Sequence, residues 1–358
     1  MRKAPPSQSE ILSPPRCLHT MGQPALRPVS WRTSMQQTLY VGALLSLAAL
    51  CPIAAAAPAD NYPNKPITMI APIAPGGMTD ALARMLSQKM TEHWQQPVVV
   101  ENRAGASGMI GTDQVARARP DGYTMLVTIT SHIQNPALYE KMTYDPIKDF
   151  VAVGQIAQSQ VSLVVTEDFP ANTLAEFVAA VKAAPGKYNF SSFGNATTGH
   201  IYGQKFAADN GLDMAHIPYK GAGPQLTALL GGHVKTGWID VGTARPYIEN
   251  GRLKLLGVIG TERSLVFPEV PTLAQAGFSG FETPGWLGTF MPAGTPQAIV
   301  DKMGAEVTRI VALPDIQSKL RELALIPTAS SPQLFGEAVA RDAQKWRDII
   351  TTQNIRAD

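Results

Sequence analysis

Cysteine is almost absent from this chain of 358 residues. Its two cysteines, Cys17 and Cys51, both lie within the first sixty residues, and the remainder has none. That remainder therefore has no disulfide, no thiolate nucleophile and no cysteine-ligated metal site. We expect it to be stable through burial of apolar side chains alone, for which about 298 residues are ample.

Long apolar runs are also missing, with one exception near the N-terminus. Residues 35–50 form an apolar run that is preceded by Arg32 and followed by small residues at 54–57. This is the arrangement of a secretory signal peptide, and the run is shorter than the roughly 20 residues that a membrane-spanning helix needs. We predict that residues 1–59 are a leader, with a signal peptide at about 35–57 behind an N-terminal extension, and that the protein is exported.

Neither sign of charge is in excess once the leader is set aside. The first sixty residues hold five of the 30 basic and two of the 28 acidic residues, so the remainder carries 25 basic and 26 acidic residues. A nearly neutral surface lacks the basic face that binding to nucleic acid or to an anionic membrane requires.

Motifs of catalysis and of metal binding are absent as well. No serine has a G-x-S-x-G context, the histidines have no H-E-x-x-H or comparable spacing, and no lysine has a Schiff-base context. Ser131 and His132 are neighbours at the predicted end of a strand, where adjacent side chains point to opposite faces. The sequence thus indicates no nucleophile with a base, no metal and no cofactor, although an enzyme is not excluded.

What the chain does have is an alternation of apolar strands and amphipathic helices. One set of such units runs from residue 65 to 157 and a second from 162 to 259, followed by an irregular segment, 260–285. We predict the α/β class, with two lobes that are each a mostly parallel sheet flanked by helices, and a ligand cleft at the carboxyl ends of the strands. The predicted domains are 60–160 plus 255–358, which form a discontinuous first domain, and 161–254, which form the second.

A turn with two glycines joins the first predicted strand to the first helix. It reads Pro75-Gly76-Gly77-Met78-Thr79. Glycines let a ligand approach the backbone, and the free N–H groups at the start of a helix carry partial positive charge, so this turn suits a carboxylate or a phosphate. A nucleoside triphosphate is excluded because no Gly-Lys-Ser/Thr follows, and the dinucleotide fingerprint G-x-G-x-x-G is missing too.

Polar side chains accompany this turn and its counterpart in the second set of units. Asp80 lies on the first turn of the helix, where it either complements the helix dipole or holds an ammonium, a hydroxyl or a water at the ligand. The counterpart is "SSFGNATTGH", residues 191–200, with Thr197 and Thr198 at the start of a helix. His200 falls inside that helix, where a lone histidine is more often packed in the core than bound to a ligand.

Seven strings of the sequence, in this order, are similar to those of a known family. They are "YPNKPITMIAPIAPGGMTDALAR", "QQPVVVENRAGASGMIG", "ARPDGYTML", "NPALYEKMTYDPIKDF", "HIPYKGAGPQLTALLGGHV", "FPEVPTLAQAGFSGFE" and "MPAGTP". Over residues 62–355 the chain resembles the Bug-type periplasmic solute-binding receptors of tripartite tricarboxylate transporters. The resemblance implies a two-lobed "Venus flytrap" fold that closes on a small carboxylate.

The resemblance also implies which residues bind the ligand. The matching positions in this sequence are Gly76, Gly77, Met78, Thr79 and Asp80 in the first loop, Thr197, Thr198 and His200 in the second loop, and Ser131 in the cleft lining. In members that bind amino acids, an aspartate at the position of Asp80 is suited to the ammonium group.

The sequence departs from the family pattern at positions that concern the other end of the ligand. Ile73-Ala74 stands where an aromatic residue and a proline are usual, and Ala196 where glycine is frequent. Ile239 stands where an aspartate is usual, with Asp240 next to it. We include Asp240 among the predicted ligand-binding residues and leave the identity of the ligand open.

The resemblance therefore implies an exported, monomeric receptor in the periplasm, with no catalysed reaction and no cofactor. Its expected partners are a small organic carboxylate, which could be a dicarboxylate, a tricarboxylate, an aromatic acid or an amino acid, and the membrane subunits of a tripartite tricarboxylate-type transporter. Two alternatives stay open: a ligand-sensing subunit for a two-component kinase, and an enzyme that processes a carboxylate in the same cleft.

Overall fold

The computed structural model describes residues 61–76 and 78–356 of the chain. The predicted leader, residues 1–59, and Gly77 of the first turn lie outside the described residues. Within the described ranges, no helix is both long enough and apolar enough to cross a membrane.

Strands and helices alternate along most of the described chain. The strands are β1 (Ile67–Ala71), β2 (Val98–Asn102), β3 (Thr124–Ile129), β4 (Phe150–Ser159), β5 (Val161–Thr166), β6 (Phe190–Ser192), β7 (His216–Pro218), β8 (Thr236–Asp240), β9 (Leu253–Val258), β10 (Gly285–Pro292) and β11 (Leu325–Pro327). The helices are α1 (Met78–Trp94), α2 (Met109–Ala116), α3 (Ser131–Leu138), α4 (Leu174–Lys182), α5 (Thr198–Asp209), α6 (Ala222–Leu230), α7 (Val241–Glu249), α8 (Gln297–Val311), α9 (Pro314–Glu322) and α10 (Pro332–Thr352).

The strands form two sheets, which confirms the predicted two-lobed α/β fold. The first sheet has the order β11-β4-β10-β3-β1-β2, and the second has the order β7-β6-β8-β5-β9. Both sheets are mixed, however, and not mostly parallel as predicted. Strands β1, β2 and β3 pair in parallel, as do β6, β7 and β8, whereas β4, β5, β9, β10 and β11 make antiparallel pairs. Apolar periodicity indicates that a strand is present but not in which direction it runs beside its neighbour.

Within residues 61–356 as described, the chain crosses between the sheets twice. The first crossing lies at Gln160, between β4 of the first sheet and β5 of the second. The second lies between β9 and β10, so the predicted domain boundary at residues 254 and 255 falls inside β9, a strand that pairs with β5 in the second sheet. The sequence pattern locates β9 correctly but carries no information about the sheet to which it belongs.

Apolar side chains fill the layers between sheets and helices and also join the two lobes. Leu86 of α1 and Met303 of α8 belong to one cluster on the first sheet, and both are fully buried. On the opposite side, Trp346 of α10 packs against Tyr202 of α5, with ring centroids 4.9 Å apart. Since α10 follows the first sheet and α5 belongs to the second lobe, this contact holds the lobes together.

Candidate ligand-binding site

Four helices follow the inner parallel strands of the two sheets, two of them in each lobe, while α2 and α6 follow the parallel edge strands β2 and β7. Helix α1 follows β1 and α3 follows β3, which are adjacent strands of the first sheet; α5 follows β6 and α7 follows β8, which are adjacent in the second. We call the region at these four junctions the cleft. Their first N–H groups lack partners within the helix and carry partial positive charge, which favours an anion. Every described residue of the predicted site lies at one of the four junctions.

Asp80 holds the first loop in shape. Its side chain is almost fully buried, and its carboxylate accepts hydrogen bonds from the backbone N–H of Gly76 at 3.0 Å, from Nε of Arg84 at 3.1 Å and from Nδ2 of Asn102 at 2.9 Å. Asn102 is the last residue of β2, beside β1. The carboxylate thus ties the turn after β1, helix α1 and the end of β2 to one another.

These contacts keep Asp80 ionised. Burial by itself raises the pKa of this carboxyl, but the hydrogen bonds from Arg84, Gly76 and Asn102 together outweigh it and hold the pKa below its usual range. The charge is therefore engaged within the protein. This geometry accounts for the structural role of Asp80, and its contact with a ligand stays a prediction.

The other described residues of this loop have distinct positions. Gly76 is exposed and adopts φ +88°, a conformation that favours glycine. Met78 and Thr79 open α1, and Thr79 is buried on its first turn.

The second loop is organised by neutral groups. Thr197 caps α5: its hydroxyl donates to the carbonyl oxygen of Gly194 at 2.7 Å and accepts from the backbone N–H of His200 at 3.4 Å. Nδ1 of His200 accepts from the backbone N–H of Ala196 at 3.3 Å, where Ala196 has φ +61°. His200 is thus a buried support of the loop, and the hydrogen bonds described here join uncharged groups.

A second histidine, which the sequence analysis did not select, stacks on His200. The ring of His216 lies 4.0 Å from that of His200, and its Nε2 lies 2.7 Å from the hydroxyl of Ser192 at the end of β6. Burial lowers the pKa of His200 to about 4, and burial followed by the neighbouring His200 lowers that of His216 to about 3. Both rings are therefore neutral near pH 7.

The Ser192–His216 contact resembles a nucleophile beside a base, but its geometry is that of a structural pair. Ser192 is fully buried, and its hydroxyl also contacts the backbone of Gly194. A histidine with so low a pKa is a weak general base. The pair fixes the path of the chain as it leaves β6.

Ser131 begins α3, so it does not extend β3 as expected for the end of a strand. One turn further along, the fully buried amide of Gln134 donates from Nε2 to the hydroxyl of Thr198 at 3.1 Å. This hydrogen bond joins the first turns of α3 and α5 across the two lobes. His132 is remote from this chemistry: it is buried, and its Nε2 contacts the carbonyl oxygen of Pro146.

Asp240 is the last residue of β8 and the N-cap of α7, but its side chain makes no capping hydrogen bond. Burial raises the pKa of its carboxyl to about 6, opposed only by its own backbone N–H. The neighbouring N–H of Val241 bonds to the carbonyl oxygen of Gln160, at the first crossing between the lobes. Asp240 therefore lies at the cleft, next to the connection about which the lobes meet.

Sequence reasoning missed several residues that shape this region. Arg84 could have been found, because it lies four residues after Asp80 on the same helix face. The sequence indicates Gln134 only weakly, through its position three residues after Ser131 on the same helix face. No sequence pattern indicates His216 and Ser192, because only the pairing of β6 with β7 brings them together.

Two surface grooves lie away from the cleft. One is over β4 between α8 and α10, and the other is beside the end of α10. Neither is lined by a predicted site residue.

Comparison with known proteins agrees with this architecture. The sequence profile of the "Tripartite tricarboxylate transporter family receptor" family matches residues 82–355. This chain belongs to that family. A relative of Pseudomonas sp. (strain P51), the "UPF0065 protein in tcbD-tcbE intergenic region", is 35% identical over 84% of this chain and 89% of its own length. "Protein BugT" of Bordetella pertussis is 31% identical over 88% of this chain and 98% of its own length.

Solved structures of this receptor family have the same fold. The periplasmic binding protein BugD matches with a TM-score of 0.75 at 31% identity, covering 82% of this chain and 99% of its own. Rpa4515 of R. palustris with adipate matches with a TM-score of 0.77 at 31% identity, covering 83% and 99%. MatC of Rhodopseudomonas palustris with bound malate matches with a TM-score of 0.74 at 31% identity, covering 81% and 100%. The family is thus one of periplasmic solute-binding proteins, and two of these relatives carry a small carboxylate.

Proposed function

We propose that this protein is an exported receptor that captures a small organic carboxylate between its two lobes and delivers it to a membrane transporter of the tripartite tricarboxylate type. The observation that carries the proposal is the hydrogen bond from Gln134 to Thr198, which joins the first turns of α3 and α5 across the cleft, with α1 and α7 beginning after the strands next to theirs. An anion bound there would meet partial positive charge from both lobes, so its binding favours the closed arrangement.

The electrostatics of the two loops support a site in which backbone N–H groups and hydroxyls, and not charged side chains, bind the carboxylate. Arg84, whose positive charge contacts Asp80 of the first loop, is paired with that carboxylate at 3.1 Å. At the second loop, the buried His200 and the half-buried His216 of β7 that stacks on it are neutral near pH 7. Backbone N–H groups and the hydroxyls of Thr79, Ser131 and Thr198 are therefore the groups that we assign to the carboxylate.

Relatives support the ligand class and the location. Rpa4515 with adipate and MatC with malate each carry a dicarboxylate, and BugD is a periplasmic binding protein. The predicted export signal fits the same location. Transfer to a membrane transporter is the proposed step that distinguishes this receptor from a ligand-sensing subunit with the same cleft.

The direct test is a thermal-shift screen of residues 60–358 against small carboxylates, each compared with its own amide. A ligand at about 100 times its dissociation constant stabilises the folded state by roughly 2.7 kcal/mol. For a domain of this size, that corresponds to an increase in Tm of roughly 5–10 °C. The amide is the matched control because it keeps the shape of the acid and loses the charge.

An increase in Tm with at least one acid, and none with its amide, is the expected result. Equal shifts with acid and amide would contradict a carboxylate site, and consumption of the acid during incubation would favour an enzyme instead. Loss of uptake of that acid in cells lacking the protein, with signalling unaffected, would separate transport from sensing.

A further inference from the structure

The carboxylate of Asp240 has no partner on any other residue that the structure describes. Two other aspartates of the second lobe have basic partners: Asp168 lies 2.7 Å from Nζ of Lys235, and Asp209 pairs with Lys205. For Asp240, no basic side chain and no hydrogen bond from another described residue compensates its partial burial. A carboxylate in such a place is destabilising unless something else supplies a donor.

Asp240 lies on the same side of the second sheet as the start of α5. Side chains alternate along a strand, so Asp240 shares a face with Trp238, which packs against Phe206 of α5 at a ring distance of 5.7 Å. Helix α5 also begins directly over β8, since a β-carbon added at Gly199 would lie 2.9 Å from the carbonyl oxygen of Trp238. Asp240 therefore lies two residues beyond the point of β8 over which α5 begins, on the face that α5 covers.

The amide of Gln134 meets the start of α5 from the first lobe. Its Nε2 is bonded to Thr198, whereas its Oε1 is buried and has no hydrogen-bond partner among the described residues. The whole side chain is 0% exposed. A fully buried amide oxygen without a donor is rare in native proteins and indicates that a donor is expected there.

We infer that Asp240 and Gln134 form a subsite for a hydrogen-bond donor of the ligand, so that the ligand is an amino acid or a hydroxy acid and not the corresponding unsubstituted acid. This inference rests on the proposed function, because the helix N-termini must bind the carboxylate while the subsite binds the ammonium or hydroxyl group. The inference adds the class of ligand to the proposed function, because the N–H groups alone do not distinguish a substituted acid from an unsubstituted one.

The two halves of the site have opposite preferences. The helix N-termini favour negative charge, whereas a second anionic group near Asp240 would be repelled and would remain desolvated. A ligand that carries an ammonium or a hydroxyl next to its carboxylate satisfies both. An unsubstituted acid satisfies only the first and leaves Asp240 and Gln134 without a donor.

Isothermal titration calorimetry with matched ligand series tests the inference. The series are propionate, lactate and alanine; succinate, malate and aspartate; and phenylpropionate, phenyllactate and phenylalanine. Within each series the skeleton is constant and only the substituent beside the carboxylate changes from hydrogen to hydroxyl to ammonium. The protein is residues 60–358, as wild type and as Asp240→Ala and Asp240→Asn variants, with Asp213→Ala as the control on an exposed loop of the same lobe.

In at least one series, the amino or hydroxy acid should bind at least tenfold more tightly than the unsubstituted acid. Asp240→Ala should remove that preference and Asp213→Ala should keep it. If the favoured ligand is the amino acid, Asp240→Asn should also remove the preference, because the negative charge that pairs with the ammonium is lost. If the favoured ligand is the hydroxy acid, Asp240→Asn should keep part of the preference, because the amide oxygen still accepts a hydrogen bond from the hydroxyl.

Two results would overturn the inference and leave the receptor function in place. One is equal or tighter binding of the unsubstituted acid in every series that binds, and the other is a preference that Asp240→Ala leaves unchanged. Failure of all nine ligands, together with a thermal shift from some other acid, would also overturn the inference alone. No shift with any acid of the screen would overturn the proposed function itself.

Discussion

The two loops at the cleft have the same design and are held by different forces. Each connects a parallel strand to the start of a helix, after β1 in the first lobe and after β6 in the second. The first depends on an ionised carboxylate, Asp80, with three donors. The second depends on neutral groups, among them the stacked rings of His200 and His216.

The difference teaches that a site of dipoles can be built with or without a formal charge, and that the two solutions respond differently to pH. The charge of Asp80 is compensated by donors of the protein, so the first loop binds a ligand through its N–H groups. The second loop needs no such compensation, because His200 and His216 stay unprotonated. We therefore expect acid to weaken the second loop before it affects the first.

The largest effect is expected from Asp80→Ala. Removal of a buried carboxylate leaves the donors of Gly76, Arg84 and Asn102 without their acceptor, which should lower the free energy of unfolding by about 3 kcal/mol in urea denaturation at pH 7. The pKa of Asp80 is lower in the folded protein than in the unfolded chain. The stabilisation by its carboxylate is therefore fully present above pH ~4 and is lost as the pH falls through the folded-state pKa.

Asp113→Ala is the matched control for Asp80→Ala. Asp113 pairs with Arg117 at the same spacing of four residues, but its carboxylate side chain is 26% exposed, against 6% for Asp80. Such surface pairs contribute only about 0.5 kcal/mol. Equal losses for the two variants would mean that Asp80 is an ordinary surface pair and that the first loop has another support.

A smaller loss is expected from Gly199→Ala at the start of α5. The added β-carbon would lie 2.9 Å from the backbone oxygen of Trp238, so the helix must move away from β8, at a cost of about 2 kcal/mol. Gly223→Ala in α6 is the control, since nothing lies within 4 Å of its added β-carbon. Alanine there should be neutral or stabilising by up to about 1 kcal/mol. Similar thermal stability of both variants would contradict the close packing of α5 on β8.

The third prediction concerns pH and the second loop. The pKa of His200 is about 4 in the folded protein and about 6.5 in the unfolded chain, so the unfolded chain binds the extra proton between these values. The histidine therefore lowers the free energy of unfolding as the pH falls from 6.5 to 4, and it has no such effect above pH ~7.

His200→Asn keeps an acceptor for the N–H of Ala196 and cannot be protonated. Relative to wild type, this variant should gain between about 1 and 2 kcal/mol in unfolding free energy when the pH is lowered from 7 to 4.5. His233→Asn, which replaces an exposed histidine, is the control. If the difference in unfolding free energy between wild type and His200→Asn did not change with pH, this result would contradict a neutral pair of histidines.

The smallest effect is expected from Asp240→Asn. The pKa of Asp240 is raised to about 6, so the folded state favours the protonated form and the ionised form is destabilising above that pH. The variant should be more stable than wild type by about 1 kcal/mol at pH 8, after allowance for partial exposure, and nearly equal to it at pH 4. Destabilisation by Asp240→Asn at pH 8 would mean that the carboxylate has a partner in the protein.

Local features of this fold could be predicted from the sequence because their causes lie within a few residues. The glycine turn before α1 is one example. Another is the capping of α4, where the backbone N–H of Glu176 donates to the hydroxyl of Thr173 at 3.2 Å, as the capping-box pattern predicts.

What the sequence could not supply depends on contacts between distant residues. Strand β11 has only three residues and exists because it pairs with β4. The contact of Gln134 with Thr198 spans 64 residues, and that of Ser192 with His216 spans 24. No local pattern specifies such pairs, so the residues that join the lobes and support the second loop emerge only from the fold.

The most direct test of a ligand held between the lobes is calorimetric titration of two isosteric variants, Thr79→Val and Thr198→Val, with the acid that gives the largest thermal shift. Each variant removes one hydroxyl from a helix start, in the first and second lobe respectively. If the carboxylate bridges the lobes, each variant should weaken binding by about two- to tenfold. Loss of affinity in only one variant, or in neither, would contradict a site shared by both lobes.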